Sequence, residues 1–194
     1  MEIRTNWGYT AICEWPELPP LLRVDEFLTI SGLEYSSSME RIAQVIAGVS
    51  QAVRDWCGWH VAPALDCVFV ASPDGHFVEL PCMGVVDVES VTKNDTELAY
   101  EWRGEGLVRL VRPEFGWRSV TVRYRAGYTD SSALAMAVAQ IVENKLVAAP
   151  GVREEHAGQV GISYNQTASG VSGGVRLLES DYALLQAYRI PRGA

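Results

Sequence analysis

Positive charge is in short supply: 16 Lys and Arg stand against 24 Asp and Glu, a formal net charge of -8. Gripping phosphate backbones as a main task needs a dense basic face, so that class of protein is excluded. The deficit is uneven, with 12 basic and 20 acidic residues up to Pro150 and four of each from Gly151 to Ala194. The body is acidic and the tail is neutral. Cysteine is sparse as well. Cys13, Cys57, Cys67 and Cys82 have no paired spacing, and Met1 to Trp15 mixes charges with aromatics where an export leader would be basic and then apolar. Reduced, mostly buried thiols in a cytosolic product are expected. No apolar run approaches the length of a membrane span, so no membrane partner is predicted.

The elements of catalysis are missing too. His60, His76 and His156 fall far apart, and Cys57-x-x-His60 is half of a zinc site with no second pair to complete four ligands. Neither a metal nor a cofactor is predicted. There is no Gly-x-Ser-x-Gly elbow, and neither His60 nor His76 has an evident acid and hydroxyl partner. The Gly-rich run near Gly170 lacks the Gly-Lys-Ser/Thr ending of a phosphate loop. Glu154-Glu155 and Asp87/Glu89 read as solvated charge. Catalytic residues are therefore predicted to be none, and the chain is read as a non-enzyme.

What is present is a strong helical stripe. Met39, Ile42, Val45, Ile46, Val49, Val53 and Trp56 recur at three- and four-residue steps, which predicts a helix over 38–57. Ser37 is placed to cap it with Glu40 in support, and Gly58 to stop it. Before it, Leu22, Val24, Phe27, Leu28 and Ile30 predict a short helix over 21–31. Residues 1–20 are read as a weakly structured N-terminal extension, because Pro16, Pro19 and Pro20 remove donors.

From Pro63 the period shortens to two. Cys67 to Ala71, the turn Ser72-Pro-Asp-Gly75, and His76 to Leu80 read as strand, turn, strand. Val85 to Thr92 alternates, Asn94-Asp95 turns, Thr96 to Trp102 returns, and Gly104 to Gly106 turns again before Leu107 to Val111. In Trp117 to Ala126, Val120, Val122 and Tyr124 face one way while Arg123 and Arg125 face the other, the polar face of an edge strand. These strands make an antiparallel β insert over 64–127. Leu134, Val138, Ile141, Val142 and Leu146 then predict a helix over 131–149, capped by Asp130 or Ser131. Beyond Pro150 a Gly/Ser-rich linker leads to a renewed helical stripe, Tyr182, Leu185 and Tyr188, with a helix near 179–189. The layout is α+β: two long helices with short ones, an antiparallel insert in a body over 21–150, and an extended arm over 151–194 ending in a short helix. For the arm tip, partner contact and self-docking stay equally open.

Several stretches in order resemble the head-to-tail connector (adaptor) proteins of tailed bacteriophages. They are Tyr35-Ser-Ser-Ser opening into Ile42 to Trp56, Trp56-Cys-Gly-Trp-His-Val-Ala-Pro63, Leu80-Pro81, and Val120-Thr-Val-Arg-Tyr-Arg-Ala-Gly-Tyr128. Gly158 to Ser163, Gly173-Gly174 and Asp181 to Pro191 with Tyr188-Arg-Ile-Pro complete the series. The resemblance runs from about Leu21 to the end. It implies a helical bundle carrying the β insert, and a structural virion protein at the head-tail interface, assembled in the host cytoplasm. It further implies a twelve-fold ring of copies docked on the portal protein and meeting the stopper (head-completion) protein. Genomic duplex DNA would pass through its lumen without sequence-specific binding. The arm would grip the portal, which singles out Tyr182, Leu185, Tyr188, Arg189, Ile190 and Arg192 as portal-binding. A stopper or tail-completion protein of the same neck is the nearest alternative. A small hydrolase or ligand-binding domain is the alternative of another class.

Overall fold

The structure, a computed structural model, describes residues 1–32, 38–129, 131–147 and 177–191, with the backbone of 154–157 and 160–163. In chain order it runs β1 (Glu2–Arg4), β2 (Tyr9–Ile12), α1 (Val24–Ser31), α2 (Met39–Cys57), β3 (Leu65–Ala71), β4 (Asp74–Glu79), β5 (Val85–Lys93) and β6 (Thr96–Glu97). It continues with β7 (Tyr100–Arg103), β8 (Leu107–Phe115), β9 (Val120–Ala126), α3 (Ser132–Val147), β10 (Glu154–Ala157), β11 (Val160–Ser163), α4 (Glu179–Leu185) and a 3-10 turn (Gln186–Tyr188). Two compact units result. One comprises Met1–Pro19, Arg54–Ser131 and Gln186–Ala194, the other Pro20–Val53 and Ser132–Leu185.

The first unit holds two antiparallel sheets, one ordered β1-β2-β3-β9-β5-β6 and one ordered β4-β8-β7. β9 forms because its residues alternate: Val120, Val122, Tyr124 and Ala126 are buried while Arg123 and Arg125 are exposed. It pairs on both sides, Val122 with Phe69 of β3 and with Val91 of β5. Around it, Tyr9, Ala11, Cys67, Val88 and Val91 are all buried. Arg125 donates to Asp66 at 2.8 Å and to the Ala64 carbonyl, so this part of the arginine stripe is spoken for within the chain.

In the second unit, Phe27 of α1 and Leu134, Val138, Ile141 and Val142 of α3 are buried, and α3 packs against both α1 and α4. Ile42, Ile46 and Val49 form the buried stripe of α2. The cap of α2 lies at Ser38, whose hydroxyl accepts the Arg41 N–H; Ser37 and Asp130, read as caps, lie outside the described residues. Gly58 does end α2, at φ 81 with its N–H on the Arg54 carbonyl.

The expected helical bundle is overturned. Among the described residues the protein is a β-rich α+β fold, with a six-stranded and a three-stranded antiparallel sheet, the antiparallel pair β10-β11, and four helices that form no bundle of two long ones. The bundle reading gave the 3.6-residue stripes the leading role, whereas long-range strand pairing carries the architecture. Three details change with it. Residues 1–20, read as weakly structured, contribute β1 and β2, the latter paired to β3 as Tyr9 with Phe69. Ser72 to Gly75 does not close a hairpin, since β3 and β4 belong to different sheets and β4 pairs with β8. β9 is a central strand of the larger sheet and not an edge.

Gly127 shows how closely the chain leaving β9 passes the turn before β3. Its φ is 123, and a Cβ there would stand 2.5 Å from the Pro63 carbonyl oxygen and 2.8 Å from the Ala64 Cα. Both obstacles are backbone and cannot rotate away. Gly127→Ala should therefore lower stability by about 3 kcal/mol, read as a drop in the urea midpoint at unchanged slope; an unaltered midpoint would contradict this packing.

Candidate docking site at the C-terminal segment

The site begins with a buried cation. Arg54 is 2% exposed at the end of α2, and no carboxylate pairs with it among the described residues. Its Nε donates to the His60 carbonyl at 2.9 Å, and its Nη2 to the carbonyls of Ala62 at 2.8 Å and Pro19 at 2.6 Å. Burial pulls its pKa down to about 10, which leaves it charged at neutral pH. The three carbonyls spread that charge over oriented dipoles, the compensation a desolvated guanidinium needs.

His60 is the next link. Burial pushes its pKa down to about 4, so the ring is neutral at pH 7. Its Nε2 lies 2.9 Å from the Ala126 carbonyl, which can only accept, so Nε2 carries the proton and Nδ1 accepts from the Tyr9 hydroxyl at 2.7 Å. The same hydroxyl accepts the His60 backbone N–H at 3.0 Å. Both ring nitrogens are thereby engaged, and Cys57-x-x-His60 offers no ligand pair. Nor do the described residues contain any group of three or more His, Cys, Asp or Glu placed to hold a metal ion.

Beside His60 stands Trp59, fully buried and edge-on to both the His60 ring and the Tyr128 ring. Its indole Nε1 donates to the Tyr188 carbonyl at 2.7 Å. The Ile190 N–H donates to the Cys57 carbonyl at 3.0 Å, the Tyr188 ring meets Tyr128 edge-on at 5.4 Å, and the Tyr188 hydroxyl lies 3.3 Å from that of Ser131. The Arg189 guanidinium sits 3.8 Å above the Trp56 ring. Residues 188–190 are thus seated on their own unit by one backbone–backbone hydrogen bond, one indole-to-carbonyl hydrogen bond, an aromatic pair and a cation over an indole.

Of the six residues singled out from the sequence, Tyr188, Arg189 and Ile190 come together at this seat, each half-buried. Tyr182 and Leu185 lie on α4 in the other unit, Tyr182 half-buried and Leu185 fully buried. Arg192 lies outside the described residues. Leu184 of the same helix is exposed and was not singled out. α4 is started by Asp181, whose carboxylate accepts the Leu178 N–H at 2.8 Å, half of a capping box. Sequence reasoning did not single out Arg54, Tyr9 or Trp59 for this site, and weighed His60 only as half of a zinc pair and as a catalytic histidine without partners. One signal was there: Ser50 and Arg54 follow Ile46 at four-residue steps, polar side chains inside the buried stripe of α2.

In fold, the chain is similar to one from a solved neck of an empty gene transfer agent (GTA) particle, computed with C6 symmetry. The match has a TM-score of 0.55 at 15% identity and covers 96% of this chain and 97% of that one. No protein-family model matches the chain, and no curated protein matches it either.

The His60 ring sets a pH dependence. Its folded pKa, about 4, lies below the ordinary value of 6.5, so below 6.5 the unfolded chain takes up the proton first. The stability contributed by neutral His60 is complete above pH 6.5 and is lost as pH falls towards 4, amounting to about 3 kcal/mol. Urea titrations from pH 7.5 to 4 should show that loss, and His60→Gln should flatten it; an equal slope in the variant would remove His60 as its source.

Proposed function

We propose that this chain is a structural protein of the neck of a phage-like particle, a ring-forming adaptor between head and tail. The observation that carries the proposal is the end-to-end similarity to a neck chain, 96% of one and 97% of the other, with no large part left over on either side. Six-fold symmetry in that neck is compatible with rings of six or twelve copies, and the resemblance read in the sequence favours twelve. The net charge of -8 suits a ring around a passing duplex, because a lumen poor in basic groups gains little by counterion release and does not hold the genome. The particle is the place of action, and the neighbours are the portal on one side and the stopper on the other.

In this reading the portal is gripped by the C-terminal segment, Tyr182, Tyr188, Arg189, Ile190 and Arg192, with Leu185 anchoring α4 from within. The seating of Tyr188 and Ile190 changes how docking operates. Tyr188, Arg189 and Ile190 are a pre-formed strip and not a free arm, and their half-buried side chains offer their outer edges.

A chain ending at Ile190 keeps the contacts of Trp59, Cys57 and Tyr128 with the segment and loses Arg192, and Arg189→Glu reverses the charge beside it. Each should bind portal rings at least tenfold more weakly in co-sedimentation while keeping the wild-type thermal midpoint within a few degrees. Wild-type binding by both would remove the portal grip from this segment. Co-purification with tail tube in place of portal would favour the stopper or tail-completion role.

A further inference from the structure

The turn between α2 and β3 contains a strained residue. Val61, fully buried, has φ 64, and the Ala62 N–H donates across it to the His60 carbonyl at 2.8 Å. This closes a three-residue turn of the rare, strained hand, which a side chain branched at Cβ takes only where its surroundings impose it. Two contacts of the C-terminal seat start from this turn. Trp59 donates its indole N–H to the Tyr188 carbonyl at 2.7 Å. The Val61 carbonyl accepts the Tyr128 N–H at 2.9 Å, and the Tyr128 ring meets that of Tyr188.

His60 keeps the turn in place, and its ring is boxed in. Nε2 donates to the Ala126 carbonyl, and beside it the Gly127 backbone comes so near that a Cβ there would stand 2.9 Å from Nε2. Nδ1 accepts the Tyr9 hydroxyl proton, while the oxygen of that hydroxyl already accepts the His60 N–H. A second ring proton, on Nδ1, would therefore meet a hydroxyl that is already donating towards it. Tyr9 faces the ring from β2 and Arg54 from α2, and only carbonyls face it from Ala126 at the end of β9 and from Pro63. Behind Tyr9 lie the buried thiols of Cys67 and Cys82 and the Tyr124 ring. Arg189, on the C-terminal segment, sits over Trp56. Among the described residues no carboxylate faces the ring, so a protonated His60 would be a second cation beside Arg54.

We propose that the turn over residues 59–62 is an acid-operated latch for the C-terminal segment. Protonation expels the His60 ring from its contacts with Tyr9 and Ala126, relaxes Val61 and withdraws the Trp59 indole from Tyr188. Residues 188–190 are then freed while the sheet stays folded, because β9 is paired along its length to β3 on one side and β5 on the other without help from His60. The latch is a property of the seat and holds whether or not a portal is the partner. The linkage has one sign. Released, the ring has its ordinary pKa of 6.5; seated, it is held down to about 4, by burial above all. Release therefore gains about tenfold for each pH unit below 6.5, levels off near 4, and amounts to about thirtyfold between pH 7.5 and 5.

Hydrogen exchange of the full chain, followed by NMR from pH 7.5 to 5 with each rate divided by the intrinsic rate at that pH, tests the latch. The Ile190 amide and the Trp59 indole N–H should open more readily than the Val122 amide in β9, and both should gain about thirtyfold. His60→Gln retains a donor for Ala126 and an acceptor for Tyr9 but gains no charge, so its Ile190 gain should fall below about threefold. Protection of Val122 at pH 7.5 checks that this variant is folded. Trp59→Phe removes the indole donor alone and should raise Ile190 opening about fivefold or more at pH 7.5 with the acid gain kept; with the wild type it decides the matter if His60→Gln does not fold. Ile190 opening only together with Val122, opening independently of pH, or keeping its full acid gain in a folded His60→Gln chain would each overturn the latch and leave the neck reading untouched.

Discussion

The buried guanidinium of Arg54 is the constraint on which the sheet-bearing unit depends. A charge taken out of water costs several kcal/mol unless dipoles replace its hydration shell. Here three carbonyls do so, those of Pro19, His60 and Ala62. Each belongs to chain that has no helix or strand of its own to hold it. The demand for charge compensation thus fixes the end of the N-terminal region and the whole turn leaving α2. Lys could not replace Arg54, because one compact ammonium lacks the planar fork that reaches three acceptors at these separations.

From that fixed turn the remaining contacts extend in order. His60 is held in the tautomer that donates to Ala126 at the end of β9 and accepts from Tyr9 on β2. One imidazole therefore ties the turn to two strands of the six-stranded sheet. Its neutrality is maintained first by burial and is reinforced by Arg54, whose positive charge disfavours a second cation close by. Trp59, adjacent in sequence, presents its indole N–H towards the C-terminal segment. Tyr124 pays for the density of this region, since its buried hydroxyl finds no hydrogen bond of good geometry and only the thiols of Cys67 and Cys82 beside it. Those thiols are themselves buried, and burial pushes Cys82 up to about 12, so they act as small apolar groups.

How much of this could be read from the sequence depended on whether the signal was local. α2, α3 and α4 announce themselves because their buried residues recur at helical steps, and Gly58 stops α2 because only a glycine takes positive φ there cheaply. β9 is equally plain, since Val120 to Ala126 alternates without a break. The partners of each strand are not encoded locally. Ser72-Pro-Asp-Gly75 has the chemistry of a tight reversal whether the strands it joins pair with each other or leave for separate sheets, and here they leave. β2 is only four residues long and is followed closely by prolines, so its alternation was outweighed. The helical stripe that ends at Tyr188 was legible, but the seat of Tyr188 and Ile190 was not, because Trp59 and Cys57 precede them by some 130 residues and a buried tryptophan looks the same in sequence with or without a hydrogen-bonding duty.

The seated segment alters the energetics expected of a terminal grip. An arm that is free in solution and orders on its partner loses roughly 1–2 kcal/mol of backbone entropy per residue at the moment of binding. For Tyr188 to Ile190 that loss is taken during folding, offset by the Trp59 and Cys57 hydrogen bonds and the Tyr128 contact. The outer edges of Tyr188, Arg189 and Ile190 are then held in one arrangement, and the portal contact proposed for them would carry no further ordering cost for these three residues. The same seating ties residues 188–190 to the sheet-bearing unit. A change at Trp59 or Gly127 that loosens the turn after α2 would also loosen the seating of Tyr188 and Ile190.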